Sequence, residues 1–340
     1  MQFRSLDSTA ALSAGGARNI LENYAFITDA WPKWNPGEAA GHTLAHLPPK
    51  ARLSVLQEKD TWLWMAVLAP LEFDSELFGR PVARLWPLVH RTPWPAARDL
   101  EQGRSLVERV LQEARDQGLE CIMARTPARD FLSAQALEGC GFALHDVSVE
   151  WLLELAGLPQ DGDLPPGLEV RPWQEPDRPA LLELVPEAFC DLMAYADRFA
   201  LDPRLRPHCR RMYRRWTANC LSGEQADQVL VLDRQGVPAG IITLRLPRET
   251  SGPGADCGWV VINAIQADLR NQGLYGHLLL RGLHWLRDQG AQRARVRTKV
   301  SQQAVIRAWS HLGASQVYAD LTFHLWLEDT PFGRGQGALS

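Results

Sequence analysis

Two stretches of the chain, one closing at Gly118 and the other at Gly290, carry apolar residues at the spacing of an amphipathic helix, with Leu106 and Leu111 on the first face and Leu278 and Leu283 on the second. A Gly just past such a run is a helix stop, because Gly takes the left-handed backbone there at little cost. Each helix leads into a short strand (121–125 and 293–300), a second helix, another Gly and a final strand. More elements precede the second set. Residues 168–172 have a strand pattern, 179–189 and 207–221 helical patterns, and 228–233, 239–246 and 257–265 strand patterns, with Gln235-Gly236 as the turn between the first two of these strands. The order β-α-α-β-β-β-α-β-α-β predicts an α/β (α+β) fold, a mixed sheet with helices on both faces.

The two sets are copies of one another. Arg115-Asp116-Gln117-Gly118 recurs 172 positions on as Arg287-Asp288-Gln289-Gly290, and at that offset Arg98, Leu106, Arg109, Leu111, Arg125-Thr126 and Gly141 meet Arg270, Leu278, Arg281, Leu283, Arg297-Thr298 and Gly313 without a gap. Such a series predicts that the halves share a fold. The Pro/Gly/Asp-rich run 157–167 lies near the midpoint and reads as the boundary, giving a first lobe at 1–156, a second at 168–330 and a Gly-rich tail at 331–340. Gly252-Pro253-Gly254 reads as a hairpin loop within the second lobe.

Composition narrows the classes. The 340 residues are 46% hydrophobic and 22% charged, values of folded domains at a length that suits two of them. A net charge of −4 supplies no positive field to gather nucleic acid. The most apolar stretch, 62–71, is about half of the ~20 residues a bilayer crossing needs, and no apolar leader opens the chain, so a cytoplasmic protein with no membrane partner is expected. Cys121, Cys140, Cys190, Cys209, Cys220 and Cys257 form no C-x-x-C pair, which reads as reduced thiols and no metal. His277 and His284 lack a third ligand and read as packing or surface residues.

One segment carries chemistry. Between the strand ending at Ile265 and the helix opening near Leu274 lies Arg270-Asn271-Gln272-Gly273-Leu274-Tyr275-Gly276. A strand, a Gly turn and a helix N-terminus bring backbone N–H groups and the positive end of a helix dipole to one point, which suits a phosphate or diphosphate; an ordinary helix cap accounts for the same residues. Arg270-x-x-Gly273-x-Tyr275 resembles the Q/R-x-x-G-x-G/A diphosphate loop of the GNAT superfamily of N-acetyltransferases, with Tyr275 at the small final position and Gly276 after it. Residues 302–313, QQAVIRAWSHLG, resemble that superfamily's downstream helix signature, with Trp309 at its tyrosine.

The resemblance implies an acetyl-CoA cosubstrate lying between the strand that ends at Ile265 and the strand 293–300. Its diphosphate would rest on Arg270 to Gly276, with Gln303 in the next helix, and the main chain of Ile265 would hold the thioester carbonyl. The amine of a small acceptor attacks that carbonyl, and the leaving thiolate needs a proton. The resemblance puts Trp309 at the proton-returning position, where an indole only donates a hydrogen bond, and leaves Tyr318 and Tyr275 as nearby phenols that also read as packing residues. At the repeat offset Glu101 replaces Gly273, a carboxylate where phosphate would sit, so the first lobe is expected to be a degenerate copy.

The run 71–79, Gly141-Phe142, Glu150 and the helix 303–314 are similar to the TDP-fucosamine acetyltransferase family, which joins a partial lobe to a GNAT domain and acetylates a nucleotide-linked amino deoxysugar. On that likeness residues 1–70 are an addition, and the acceptor lies near Tyr195, Arg198, Tyr213, Arg214 and the 74–78 turn. The cluster Arg198, Arg206, Arg210, Arg211, Arg214 and Arg215 reads equally as a solvated basic face or as a grip on a diphosphate. Asp256 and Glu249 read as a general base or as loop ion pairs. Two further readings stay open: another two-lobed acetyltransferase acting on amines, amino acids or antibiotics, and a decayed CoA-binding regulator. A homodimer is compatible with each.

Overall fold

In the computed structural model, residues 1–7, 15–27, 35–48, 50–92, 96–191, 196–248 and 254–329 are described. Gly252 and Pro253 of the expected hairpin loop, Tyr195, Glu249 and the tail 331–340 lie outside them. The described chain forms two units, Met1–Val147 with Tyr318–Ser340, and Ser148–Val317. None of its helices is long and apolar enough to cross a membrane.

The first unit contains β1 (Gln2–Asp7), α1 (Gly15–Glu22), α2 (Pro36–Ala45), β2 (Arg52–Glu58), β3 (Thr61–Pro70), α3 (Glu72–Phe78), β4 (Val82–His90), α4 (Ala97–Asp116), β5 (Cys121–Pro127), α5 (Phe131–Gly139) and the start of β6 (Ala143–Glu154). The second contains the rest of β6, then β7 (Leu168–Pro172), α6 (Arg178–Pro186), a π-helical turn (Glu187–Asp191), α7 (Arg198–Leu201), α8 (Arg206–Leu221), β8 (Gln228–Arg234), β9 (Val237–Arg245), β10 (Cys257–Ile265), α9 (Leu274–Asp288), β11 (Arg293–Lys299), α10 (Gln303–His311) and the start of β12 (Ser315–Trp326). Strands run β1-β2-β3-β4-β5-β12 in the first unit and β7-β8-β9-β10-β11-β6 in the second. Each set is antiparallel except for its one parallel pair, β4 with β5 and β10 with β11.

Each unit therefore ends on a strand from the other half of the sequence: β12 pairs with β5, Trp326 opposite Cys121, and β6 pairs with β11, Glu154 opposite Arg293. Residues 157–167, read from composition as the boundary, fall inside the second unit and lie along α9, where Asp161 pairs with Arg281 and His284 Nε2 meets the Pro159 carbonyl at 2.9 Å. The described part of residues 1–70 packs into the first unit. It forms β1, α1, α2, β2 and β3, the opening of that unit, and α1 and α2 bury Ala17, Ile20, Leu21 and Ala40 against Val55, Met65, Val67 and Val89.

The repeat is visible as geometry. Leu106, Val107, Val110, Leu111 and Ala114 are the buried face of α4, and their counterparts 172 residues on, Leu278, Leu279, Gly282, Leu283 and Leu286, are that of α9. The shared tetrapeptide is a helix stop: Gly118 and Gly290 have φ of 70° and 94°. The following residue donates back into the last turn in the same way in both, Leu119 N to Ala114 O and Ala291 N to Leu286 O, each 3.0 Å.

Candidate functional site

In the second unit β10 and β11 pair only from Cys257–Arg293 to Val260–Val296. Beyond that, Asn263, Ala264 and Ile265 pair with β9 while Arg297, Thr298 and Lys299 pair with β6. The parallel strands thus part, and the edges that face each other across the opening carry main-chain groups. A register shift between Val260 and Asn263 accompanies the parting. Gly240 on β9 allows the end of β10 to come close, since a Cβ there would stand 2.6 Å from Ile265 Cδ1 and 3.2 Å from the Ala264 carbonyl.

The segment after β10 is tied down residue by residue. Gln266 N donates to Ala239 O at 2.8 Å, a 3-10 turn covers Ala267–Leu269, and Arg270 Nε donates to the Ile265 carbonyl at 2.8 Å. Gln272 Nε2 reaches back to the Asp268 carbonyl at 2.9 Å. Asn271 and Gly273 are left-handed, with φ of 61° and 78°, which turns the chain into α9. Gly273 is the N-cap of α9 and no side chain caps the helix. A Cβ on Gly273 would meet nothing within 4 Å, so the helix mouth opens onto free space. An uncapped fifteen-residue helix beside an open glycine fits a diphosphate: its first N–H groups and dipole supply the positive end an anion needs.

Leu274 is buried and Gly276 N donates to Gly273 O at 2.9 Å, closing the first turn. Tyr275 packs inward against the core, not across the mouth. Trp309 is 0% exposed, and its Nε1–H donates to the Tyr275 hydroxyl over 3.3 Å. Trp309 is the repeat counterpart of Leu137, itself 0% exposed, so the indole occupies a core position. Burial pushes the Tyr275 phenol well above its ordinary pKa against a smaller opposing effect of the indole bond, keeping the hydroxyl protonated. Gln303 is exposed at the start of α10 and closes a turn onto the Val300 carbonyl at 3.1 Å. Tyr318 stands where β12 passes into the first unit, apart from this group in the division of the chain.

The residues expected near the acceptor are less open. Tyr213 is 3% exposed, stacks on Phe189 at 4.7 Å and donates to Asp197. Arg214 and Arg210 share Glu183 at 2.5 and 2.9 Å, Arg210 also meets Asp191, and Arg206 Nε donates to Ala200 O at 2.7 Å. Arg198 lies over the Phe199 ring at 4.1 Å. Asp74 and Phe78 belong to α3 of the first unit. Asp256, a candidate base, binds Arg293 through Nε at 3.1 Å and through Nη2.

The first unit has the same strand parting and a different filling. The pairing of β4 with β5 stops at Leu85–Ala124. α4 begins at Ala97, so residues 98–101 are helical where the second unit has its loop, and the Asp99 carboxylate accepts from Ala96 N at 2.8 Å, capping the helix with negative charge. Counting from the paired Val82 and Cys257, His90 is the counterpart of Ile265. His90 Nε2 lies 2.9 Å from Asp130 Oδ1, and Tyr24 donates to the other oxygen, with all three residues at most 5% exposed.

Twofold use of one mixed sheet with parted parallel strands, and an open helix mouth in the second copy only, defines a tandem GNAT-type fold. The comparisons agree: residues 191–314 match the model of the Acetyltransferase (GNAT) family. The chain is similar to a GCN5-related N-acetyltransferase from Sphaerobacter thermophilus, at TM-score 0.60 and 16% identity over 96% of this chain and 95% of that one. It is similar to a tandem GNAT protein from the clavulanic acid biosynthesis pathway, at 0.55 and 15% over 96% and 98%. A third likeness, at 0.59 and 14% over 95% of this chain and 38% of the other, is to a GCN5-related glucosamine N-acetyltransferase region of a fungal multi-domain GH3 beta-N-acetylglucosaminidase. At these identities the likeness is one of fold. No curated protein matches.

Arg234, Gly240 and Asp268 belong to this site and were not singled out from the sequence. Only Gly240 left a signal there, a glycine inside an apolar strand.

Proposed function

We propose that the chain is an acetyl-CoA-dependent N-acetyltransferase whose second unit carries the reaction, passing acetyl to the amine of a small acceptor. The observation that carries this reading is the open, uncapped mouth of α9 at left-handed Gly273, set beside the parting of β10 and β11. The diphosphate would sit on the backbone of Asn271 to Gly276, and the thioester would lie along the exposed edge of β10 near Ile265. Attack by a neutral amine transfers the acyl group, and the thiolate that leaves must be protonated. Trp309, buried in the core, is poorly suited to that step. Tyr275 suits it better, because burial holds its phenol protonated at neutral pH and a phenol, unlike an indole, has an O–H proton it can give to a thiolate; Tyr318 is the second candidate.

The narrower acceptor class is an amino sugar, including a nucleotide-linked amino deoxysugar. Its support is the sequence likeness noted above and one structural neighbour named as a glucosamine N-acetyltransferase region. Incubation with acetyl-CoA and a panel of amino sugars, nucleotide amino sugars, amino acids and simple amines, read as thiol release and as acetylated product by mass, tests both levels. An amino sugar acetylated well above the other amines supports the narrow reading; turnover of other amines alone removes it. No turnover of any amine, with acetyl-CoA still bound, favours a CoA-binding regulator.

A further inference from the structure

Resting on the diphosphate reading of Gly273, we infer that Arg234 is a positioning residue for the diphosphate loop: it holds and neutralises the Asp268 carboxylate so that the mouth of α9 can receive a dianion. Arg234 is the last residue of β8, two strands away from β10. Its Nη1 donates to Asp268 Oδ2 at 2.7 Å and its Nη2 to Gln266 Oε1 at 3.3 Å, so one guanidinium spans the segment linking β10 to the helix. Asp268 is the carboxylate of that segment, and its carbonyl takes the side chain of Gln272, the residue before Gly273.

The support for Arg234 is itself fixed. Its neighbour Asp233, 3% exposed, accepts from Arg171 Nε at 3.0 Å and Nη2 at 2.5 Å, and from Gly236 N at 2.6 Å, while Arg171 is held on its other side by Asp177 at 2.7 Å. The β8–β9 turn therefore presents Arg234 to the loop from an anchored base. The Arg234 hydrogen bond keeps the Asp268 carboxyl below its usual pKa, so the carboxylate is charged at neutral pH and repels any anion on the same loop unless it is matched.

The role makes a signed prediction in four proteins: wild type, Arg234→Ala, Asp268→Asn and the double variant. Acetyl-CoA Kd is measured by calorimetry, and KM and kcat in the transfer assay. Arg234→Ala should weaken acetyl-CoA by about two- to five-fold, the scale of an exposed ion pair, with the change on KM and not on kcat. Asp268→Asn should bind at least as tightly as wild type, and the double variant should recover most of the loss, because no carboxylate is left to neutralise. A double variant no better than Arg234→Ala, or an Arg234→Ala protein that binds like wild type, overturns the inference. A wild-type protein that binds no acetyl-CoA overturns the diphosphate reading beneath it, and the two failures are distinct.

Discussion

Tyr275 and Trp309 depart from the motif at two places, and one hydrogen bond joins them. A residue's type was legible in the sequence, but its burial was not: Trp309 stands at the family's tyrosine position in the alignment of letters, yet its repeat counterpart Leu137 shows that this helix position faces the core. Tyr275 follows from the same packing, since its hydroxyl accepts from the indole. Gly273 was legible for the opposite reason, because a glycine at the start of a helix marks a turn whatever surrounds it, and the structure gives it a left-handed backbone that glycine takes at little cost. Removing the phenol tests its assignment. Tyr275→Phe should lower kcat by about 100-fold or more, the usual contribution of a positioned proton donor, while acetyl-CoA binding persists. An unchanged kcat assigns the proton to another group, with Tyr318→Phe as the next variant.

At the scale of elements, α4 and α9 share their buried faces and their glycine stops, and differ in the first turn. The difference was visible as Glu101 for Gly273, but its form was not. The helix runs on through the place of the loop, and Asp99, not Glu101, blocks its N-terminus. The network of Tyr24, His90 and Asp130 left no signal, because its members come from three segments far apart in sequence. Burial pushes the Asp130 carboxyl up, but the bonds from His90, the Ser133 N–H and Tyr24 outweigh it and leave the pKa lowered. A carboxyl lowered in the fold contributes stability above its unfolded pKa of about 4, and that contribution fades as pH falls through the lowered value. Asp130→Ala should cost about 1.5–3 kcal/mol at pH 7 by denaturant unfolding, as loss of a hydrogen bond to a buried charged group does, and the gap to wild type should narrow on acidification below about pH 4. A gap that is independent of pH would remove the charge from that explanation.

For the whole molecule, the ungapped repeat made the tandem architecture legible, since each copy repeats the same hydrogen-bonded helix ends. The exchange of β6 and β12 was not legible. A strand's pattern says which face is buried and not which neighbour it joins, so a proline-rich run at 157–167 reads as a boundary even though the units change over at Val147 and Val317. Residues 1–70 stood apart because the likeness that set them apart begins at Leu71, and a likeness in one stretch says nothing of what packs beside it.

With one open helix mouth, that of α9 in the second unit, the chain should bind one acetyl-CoA. Calorimetric titration of wild type, Gly273→Asp and Glu101→Ala tests this directly. One site is expected in wild type and in Glu101→Ala. In Gly273→Asp binding should be lost, because a carboxylate would stand where the diphosphate rests and the left-handed backbone would resist any side chain. Two sites per chain, or binding that survives Gly273→Asp and fails in Glu101→Ala, would contradict the account.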